Sequence, residues 1–327
     1  MTSDTLVYLL FGLIGVVVLL VILKWPYFGI AVSISILPIV HIFPDIPLFS
    51  SIATPVGLVT LAAYLLQSKG TKKRQKRKLE PVYLFGFLFI LWVVVSNPEA
   101  SVLGKERVWL LTFMQLWILM YLTGELLDSP EHQKMTMLIF AIASTVSAIF
   151  AISQGEITED ALSSVRVAGL AVNANQAARY YVMALVCFYY LRSKSTESLP
   201  KLLYLMGISV TFVGVFFTVS RSGILLLLGT FLLILIFQPK VQNKISLIVL
   251  LSVMLVIMSF FSESIFQIIR GIFPAIRMGT DTVGLRYDLW RAGWKMWLDY
   301  PVQGIGIGQY NVNLLRYMKL VGGAERG

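Results

Sequence analysis

Lys69-Gly-Thr-Lys-Lys-Arg-Gln-Lys-Arg-Lys78 carries seven basic residues in ten and lies between two runs, 53–67 and 81–96, that contain no charged side chain. Lys and Arg in short loops stay on the cytoplasmic side of a membrane, so a basic block between apolar runs reads as a cytoplasmic loop joining two transmembrane helices. This loop orients the rest of the chain.

Working outward, further apolar runs fall at about 6–23, 27–43, 108–124, 136–153, 169–191, 202–219, 223–238 and 245–262. Each is near the roughly 20 residues a helix needs to cross about 30 Å of hydrocarbon. With the two flanking the basic loop they predict about ten transmembrane helices in one all-α, polytopic bundle. Alternation from the loop places Lys24, Lys134, Arg192, Lys194, Lys201, Lys240 and Lys244 inside, whereas the outer loops hold only Lys105, Arg107, Arg166 and Arg221. The N-terminus is then outside. Residues 28–47, with prolines at 38, 44 and 47, also fit a re-entrant segment, which would move the N-terminus alone.

Composition agrees. The 327 residues are 57% hydrophobic and 13% charged, and the mean hydropathy is +0.79. An ordinary soluble domain has roughly a quarter of its residues charged. The formal charge of +10 is explained by topology and gives no reason to invoke nucleic acid. Met1 to Thr5 holds no Lys or Arg, so the first run reads as a retained anchor, not a cleaved leader. Cys187 is the single cysteine, which excludes an intrachain disulfide framework and a cysteine-cluster metal site.

Two domains are expected: a transmembrane bundle over 1–262 and an outward-facing segment over 263–327, which carries eight basic residues and three tryptophans but no further spanning run. Within it, Thr282 to Asp299 reads as an amphipathic helix with Leu285, Leu289, Ala292 and Met296 as one apolar stripe. Arg286, Trp290, Gly293 and Trp297 fall on a neighbouring face. Asp281 or Thr282 can cap its start, and Tyr300-Pro301 stops it. Either this helix rests in the headgroup region on its tryptophans, or Arg286 holds a ligand. The following Gly304-Ile-Gly306-Ile-Gly308 lacks the parallel-sheet setting of a nucleotide fingerprint. It suits an anion cradle of exposed amides or a tight packed turn.

Arg221, in Thr218-Val-Ser-Arg-Ser-Gly223, stands at the outer end of the eighth run. It is either a snorkelling side chain or a charge held at depth for function. Asn173, Asn175, Gln176 and Arg179 raise the same question at the seventh run, with interhelical hydrogen bonding as the plainer account. Together, Arg166, Arg179, Arg221, Arg286 and Arg291 gather at one outer surface. Guanidinium binds two phosphate oxygens at once and stays charged, so a substrate with a lipid tail and a phosphorylated head suits the set. The sequence has no Walker A pattern, no zinc-spaced cluster and no paired Asp motif on the inner side, so no metal and no cofactor is expected. His132 is on the inner side and His41 near an outer loop, where a lone histidine is usually structural.

Three motifs in order, Arg166-Val-Ala-Gly169 with Asn173-Ala-Asn175, Ser220-Arg221-Ser-Gly223, and Arg286 through Trp290 to Pro301 and Gly304, Gly306 and Gly308, resemble those of the O-antigen ligase family, which includes surface-polysaccharide ligases and polymerases. The resemblance covers about residues 160–312. It implies a metal-independent glycosyltransferase of the bacterial cytoplasmic membrane, working on its outer side. The donor would be an undecaprenyl-pyrophosphate-linked glycan, and the acceptor a glycan, lipid or protein. The family's essential arginines map onto Arg221 and Arg286. Arg166, Asn175, Arg179, Arg291 and the three glycines are the expected lipid-pyrophosphate contacts. The family pattern also has a histidine and closing helices farther along, for which this sequence, ending at Gly327, has no counterpart. It therefore reads as truncated or atypical, with Asp281, Asp288 and Asp299 as the remaining acid–base candidates. A flippase for lipid-linked glycans, or a non-catalytic partner in polysaccharide assembly, is the alternative.

Overall fold

The computed structural model describes residues 3–42, 53–68, 80–96, 106–154, 167–237, 252 and 281–323. Among them are eleven α-helices and no strand. These are α1 (Ser3–Lys24), α2 (Tyr27–Ile36), α3 (Ala53–Ser68), α4 (Pro81–Val95), α5 (Glu106–Leu126), α6 (Pro130–Gln154), α7 (Ala174–Lys194), α8 (Ser198–Phe217), α9 (Arg221–Phe237), α10 (Asp281–Asp299) and α11 (Tyr310–Gly323). Helices occupy nine of the apolar runs. The basic loop, Arg166 and the run at 245–262 lie outside the described residues.

Among the described residues, three helical stretches are long and apolar enough to cross a membrane: Val108–Leu126, Pro130–Gln154 and Ser198–Phe217. Gly12–Lys24, Tyr27–Ile42, Thr54–Gln67, Pro81–Val95 and Ser222–Phe237 are apolar but shorter. Their starts follow local chemistry. Proline at the first position of α4 and α6 sacrifices only an amide that has no intrahelical partner, and the Ser129 hydroxyl accepts the His132 N–H at 3.2 Å to cap α6. The expected helix over 27–43 is divided. α2 stops at Ile36 and continues as a 3-10 segment, Leu37–Ile42, broken at Ile39 (φ −125°, ψ 22°). Pro38 lacks the N–H that an uninterrupted α-helix would use there.

The chain forms two compact units, Met1–Gly70 with Leu126–Ile272, and Thr71–Glu125 with Phe273–Gly327. In the first, α7 packs on α6, α8 and α9, and α2 packs on α6. Tyr181, Phe212 and Val215 are fully buried at its centre, with Ala141, Ala148, Ala177 and Ala184 between helices. Small residues let helix backbones approach where apolar burial against lipid gives little driving force. Several buried hydroxyls are satisfied within their own helix: Ser144 donates to the Phe140 carbonyl at 2.9 Å and Thr211 to the Gly207 carbonyl at 2.8 Å, as a medium without water favours, whereas the Ser35 and Thr136 hydroxyls have no partner among the described residues.

In the second unit α4 and α5 meet through aromatic pairs, Tyr83 with Tyr121, Phe87 with Trp117 and Phe89 with Phe113. The Trp117 indole donates to the Tyr83 carbonyl at 2.9 Å. α4 buries none of its residues, and Phe85 and Val95 are among its exposed side chains. So continuous an apolar surface is tolerated in hydrocarbon and would aggregate in water. α10 and α11 pack together as a helical hairpin.

Candidate functional site

Two helix beginnings converge in the first unit. Asn173 stands just before α7 in an extended conformation (φ −156°, ψ 160°), and its Oδ1 accepts the Gln176 N–H at 2.9 Å. This is an N-cap, supplying an acceptor to one of the four amides a helix start leaves unpaired. It also explains why α7 begins at Ala174, five residues later than the apolar run. Ser220 does the same for α9. Its Oγ accepts the Gly223 N–H at 3.1 Å, while its carbonyl accepts the Ile224 N–H at 3.0 Å.

The Ser220 hydroxyl also reaches across to α7, donating to Asn175 Oδ1 at 2.8 Å, and it lies 3.1 Å from the Ser222 hydroxyl. Ser220 is completely buried. Gly223 then sits against α7 so closely that a Cβ on it would lie 2.5 Å from the Ala178 Cβ. Before the cap, Thr218 Oγ1 donates to the Val215 carbonyl at 2.7 Å and the Val219 N–H to Phe216 at 3.0 Å. Val219 has φ +48°, the one non-glycine residue with positive φ among those described. Arg221 is the first residue of α9, placed between two hydroxyls of this junction. The positive ends of two helix dipoles thus meet beside it, a setting that stabilises negative charge.

The segment before α7 is also fastened to the bundle. The Leu170 N–H donates to the Ser147 hydroxyl at 3.0 Å, which shares a 3.1 Å hydrogen bond with the Tyr181 hydroxyl. The Leu170 carbonyl accepts the His41 backbone N–H at 3.0 Å. Gly169 has φ +58° and lies on the Ser147 carbonyl, leaving no space for a Cβ. The glycine of the first motif is required by both its backbone and its neighbours. His41 contributes a backbone amide here. Ser147 and Tyr181 drew no attention in the sequence, since lone hydroxyls inside apolar runs give no local signal.

In the second unit, α10 spans Asp281–Asp299 and packs on α11. Of the expected stripe, Ala292 and Met296 are buried, together with Tyr317 of α11. The Tyr310 hydroxyl donates to the Leu289 carbonyl at 3.0 Å, tying the start of α11 to the middle of α10. Trp290 and Trp297 are exposed as their place on the neighbouring face requires, and so are Tyr287 and Trp294. Arg291 stacks over the Tyr287 ring at 5.6 Å.

Gly304, Gly306 and Gly308 have φ of +70°, +95° and +74°. Three left-handed glycines in five residues make a tight turn between α10 and α11, with the Gly304 N–H donating to the Tyr300 carbonyl at 3.0 Å. Asp299 is engaged by Lys295 at 2.9 Å. That bond, with a second from the Tyr317 hydroxyl, holds its carboxyl below the usual range. A depressed carboxylate is a poor general base, which argues against Asp299 in that role.

Of the nine expected site residues, Asn175 joins the junction in which Arg221 stands. Arg179, one turn along α7, is exposed. Arg291 and the three glycines belong to the hairpin, and Arg286 occupies the first half of α10. The sequence pointed to Arg221 without Ser220, the residue that fixes its backbone.

Helices with apolar outer surfaces, small-residue contacts between them and locally satisfied hydroxyls define an all-helical membrane protein. The O-Antigen ligase family model matches residues 206–325, from within α8 past the end of α11, so this part of the chain is similar to the O-antigen ligases. No curated protein and no solved structure matches. The matched stretch contains Arg221, Arg286, Arg291 and the glycine turn. It supports a membrane role in glycosyl transfer during polysaccharide assembly, with a lipid-linked glycan as the general class of donor.

Proposed function

We propose that this protein transfers a glycan from undecaprenyl pyrophosphate to an acceptor hydroxyl on the outer side of the bacterial cytoplasmic membrane, from a bundle of about ten spans over 1–262 and an outer segment over 263–327. The observation that carries this reading is the O-antigen ligase match over 206–325, which takes in both Arg221 and Arg286. The acceptor, a glycan, lipid or protein, attacks the anomeric carbon. The new C–O bond forms as the bond to pyrophosphate breaks, with inversion, and the hydroxyl proton leaves for solvent or the departing group. The donor arrives activated, so the protein's main contribution is to stabilise negative charge growing on the pyrophosphate. Fixed guanidinium groups do this without reorganisation at the moment of reaction. Arg221 and Arg286 are assigned that part, and Arg166, Arg179 and Arg291, with the glycine turn, the holding of the headgroup.

The test supplies purified full-length protein with a lipid-pyrophosphate glycan and candidate acceptors. Arg221→Ala and Arg286→Ala are each expected to lower transfer by about a hundredfold or more, the scale set by loss of a single oxyanion donor. Lysine at either position should recover only part, since it keeps the charge and loses the planar fork. Full transfer by both alanine variants would reject the mechanism. Movement of intact donor across vesicles without transfer would point to a flippase.

A further inference from the structure

We infer that Asn175 acts as a positioning residue for Arg221, through the buried hydroxyl of Ser220, and does not itself contact the donor. The inference rests on the role proposed above for Arg221. Ser220 immediately precedes Arg221, is fully buried, and has its hydroxyl proton committed to Asn175 Oδ1 at 2.8 Å. The Ser220 hydroxyl oxygen in turn accepts the Gly223 N–H at 3.1 Å. One hydroxyl therefore caps α9 and fastens that cap to α7. A serine cap alone has a rotatable hydroxyl and fixes only its own helix. With Asn175 as the second partner, the first turn of α9 is held in one position relative to α7.

The remainder of the junction supports this division of labour. Asn173 already caps α7 with its own Oδ1, so the helix does not need Asn175 for that purpose. The close seat of Gly223 on Ala178 holds α9 against α7 one turn beyond the cap. The Ser220–Asn175 bond supplies the directional contact beside Arg221 that apolar packing lacks. Fixing the backbone from which a catalytic guanidinium springs matters most in the transition state, because a displacement of about 1 Å costs on the order of a hundredfold in rate. A direct donor contact would strengthen binding in the ground state as well.

The experiment measures kcat and donor KM for full-length Asn175→Ala, Ser220→Ala, the double variant and Asn175→Asp, with Arg221→Ala alongside and thermal unfolding of each variant as a check on folding. The expected result is a fall in kcat of about tenfold or more in both single alanine variants with KM within about twofold, and a double variant no worse than the poorer single. Asn175→Asp retains the acceptor oxygen and should keep more of kcat than Asn175→Ala, which guards against an alanine variant that merely unfolds. The inference is overturned if Asn175→Ala raises KM at constant kcat, if the two alanine effects multiply, if both leave kcat intact, or if aspartate is as damaging as alanine. If Arg221→Ala transfers normally, the role proposed for Arg221 fails, and this inference with it. If that variant is inactive while Asn175→Ala and Ser220→Ala are not, only the inference fails.

Discussion

Gly223 and Ala178 bring α9 and α7 into backbone-limited contact, with no room for a side chain on the glycine. The obstruction is another Cβ, which cannot turn aside as the end of a long side chain can. Gly223→Ala should therefore cost about 1–3 kcal/mol by overpacking, read as a lower unfolding temperature in detergent. Adding Ala178→Gly should return most of the loss. If the paired change restores nothing, the two helices are not in contact at this point.

The glycine turn of the second unit offers a cleaner test of backbone conformation. A Cβ on Gly304 would meet nothing within 4 Å, so Gly304→Ala isolates the penalty of placing an L-residue at φ +70°. That penalty is roughly 1–2 kcal/mol. Asparagine tolerates the left-handed region better, so Gly304→Asn should lose less than Gly304→Ala in the same unfolding measurement. Equal stability of all three would contradict the turn described.

Asp299 sets the acid response of the hairpin. Its carboxyl is depressed first by the Lys295 hydrogen bond and then by that from Tyr317. A group whose folded pKa lies below its unfolded value of about 3.9 contributes stability above that value and loses it as pH falls through the folded pKa. The contribution is thus complete at neutral pH and disappears in strong acid. Asp299→Asn should flatten the unfolding temperature's dependence on pH below about 4. An unchanged acid profile would show that the two contacts contribute nothing.

The helices were legible because spanning length and apolar composition are local properties. The stripe of α10 was legible for the same reason, as Ala292 and Met296 show. Its partner was not. α11 has too short an apolar pattern to announce itself, and Tyr317 is recognisable as core only once the glycine turn folds it back. The junction at Arg221 was legible in part: Ser-Arg-Ser-Gly looked like a turn bearing a charge, but the acceptor for Ser220 lies 45 residues earlier, and no local pattern announces such a pairing. Asn175 stood out as an amide in an apolar region. Whether it faced a ligand or a helix was a question of tertiary structure.

Val219 gives the junction a further property. A β-branched residue at φ +48° is uncommon, and such a conformation persists only where the surroundings impose it. Glycine at 219 would relieve that cost, yet it would also free the link through which α8 delivers Arg221 to its place. Robustness and turnover are therefore opposed at this position. A variant library selected only for heat resistance should accept Val219→Gly, while one selected for glycan transfer should discard it.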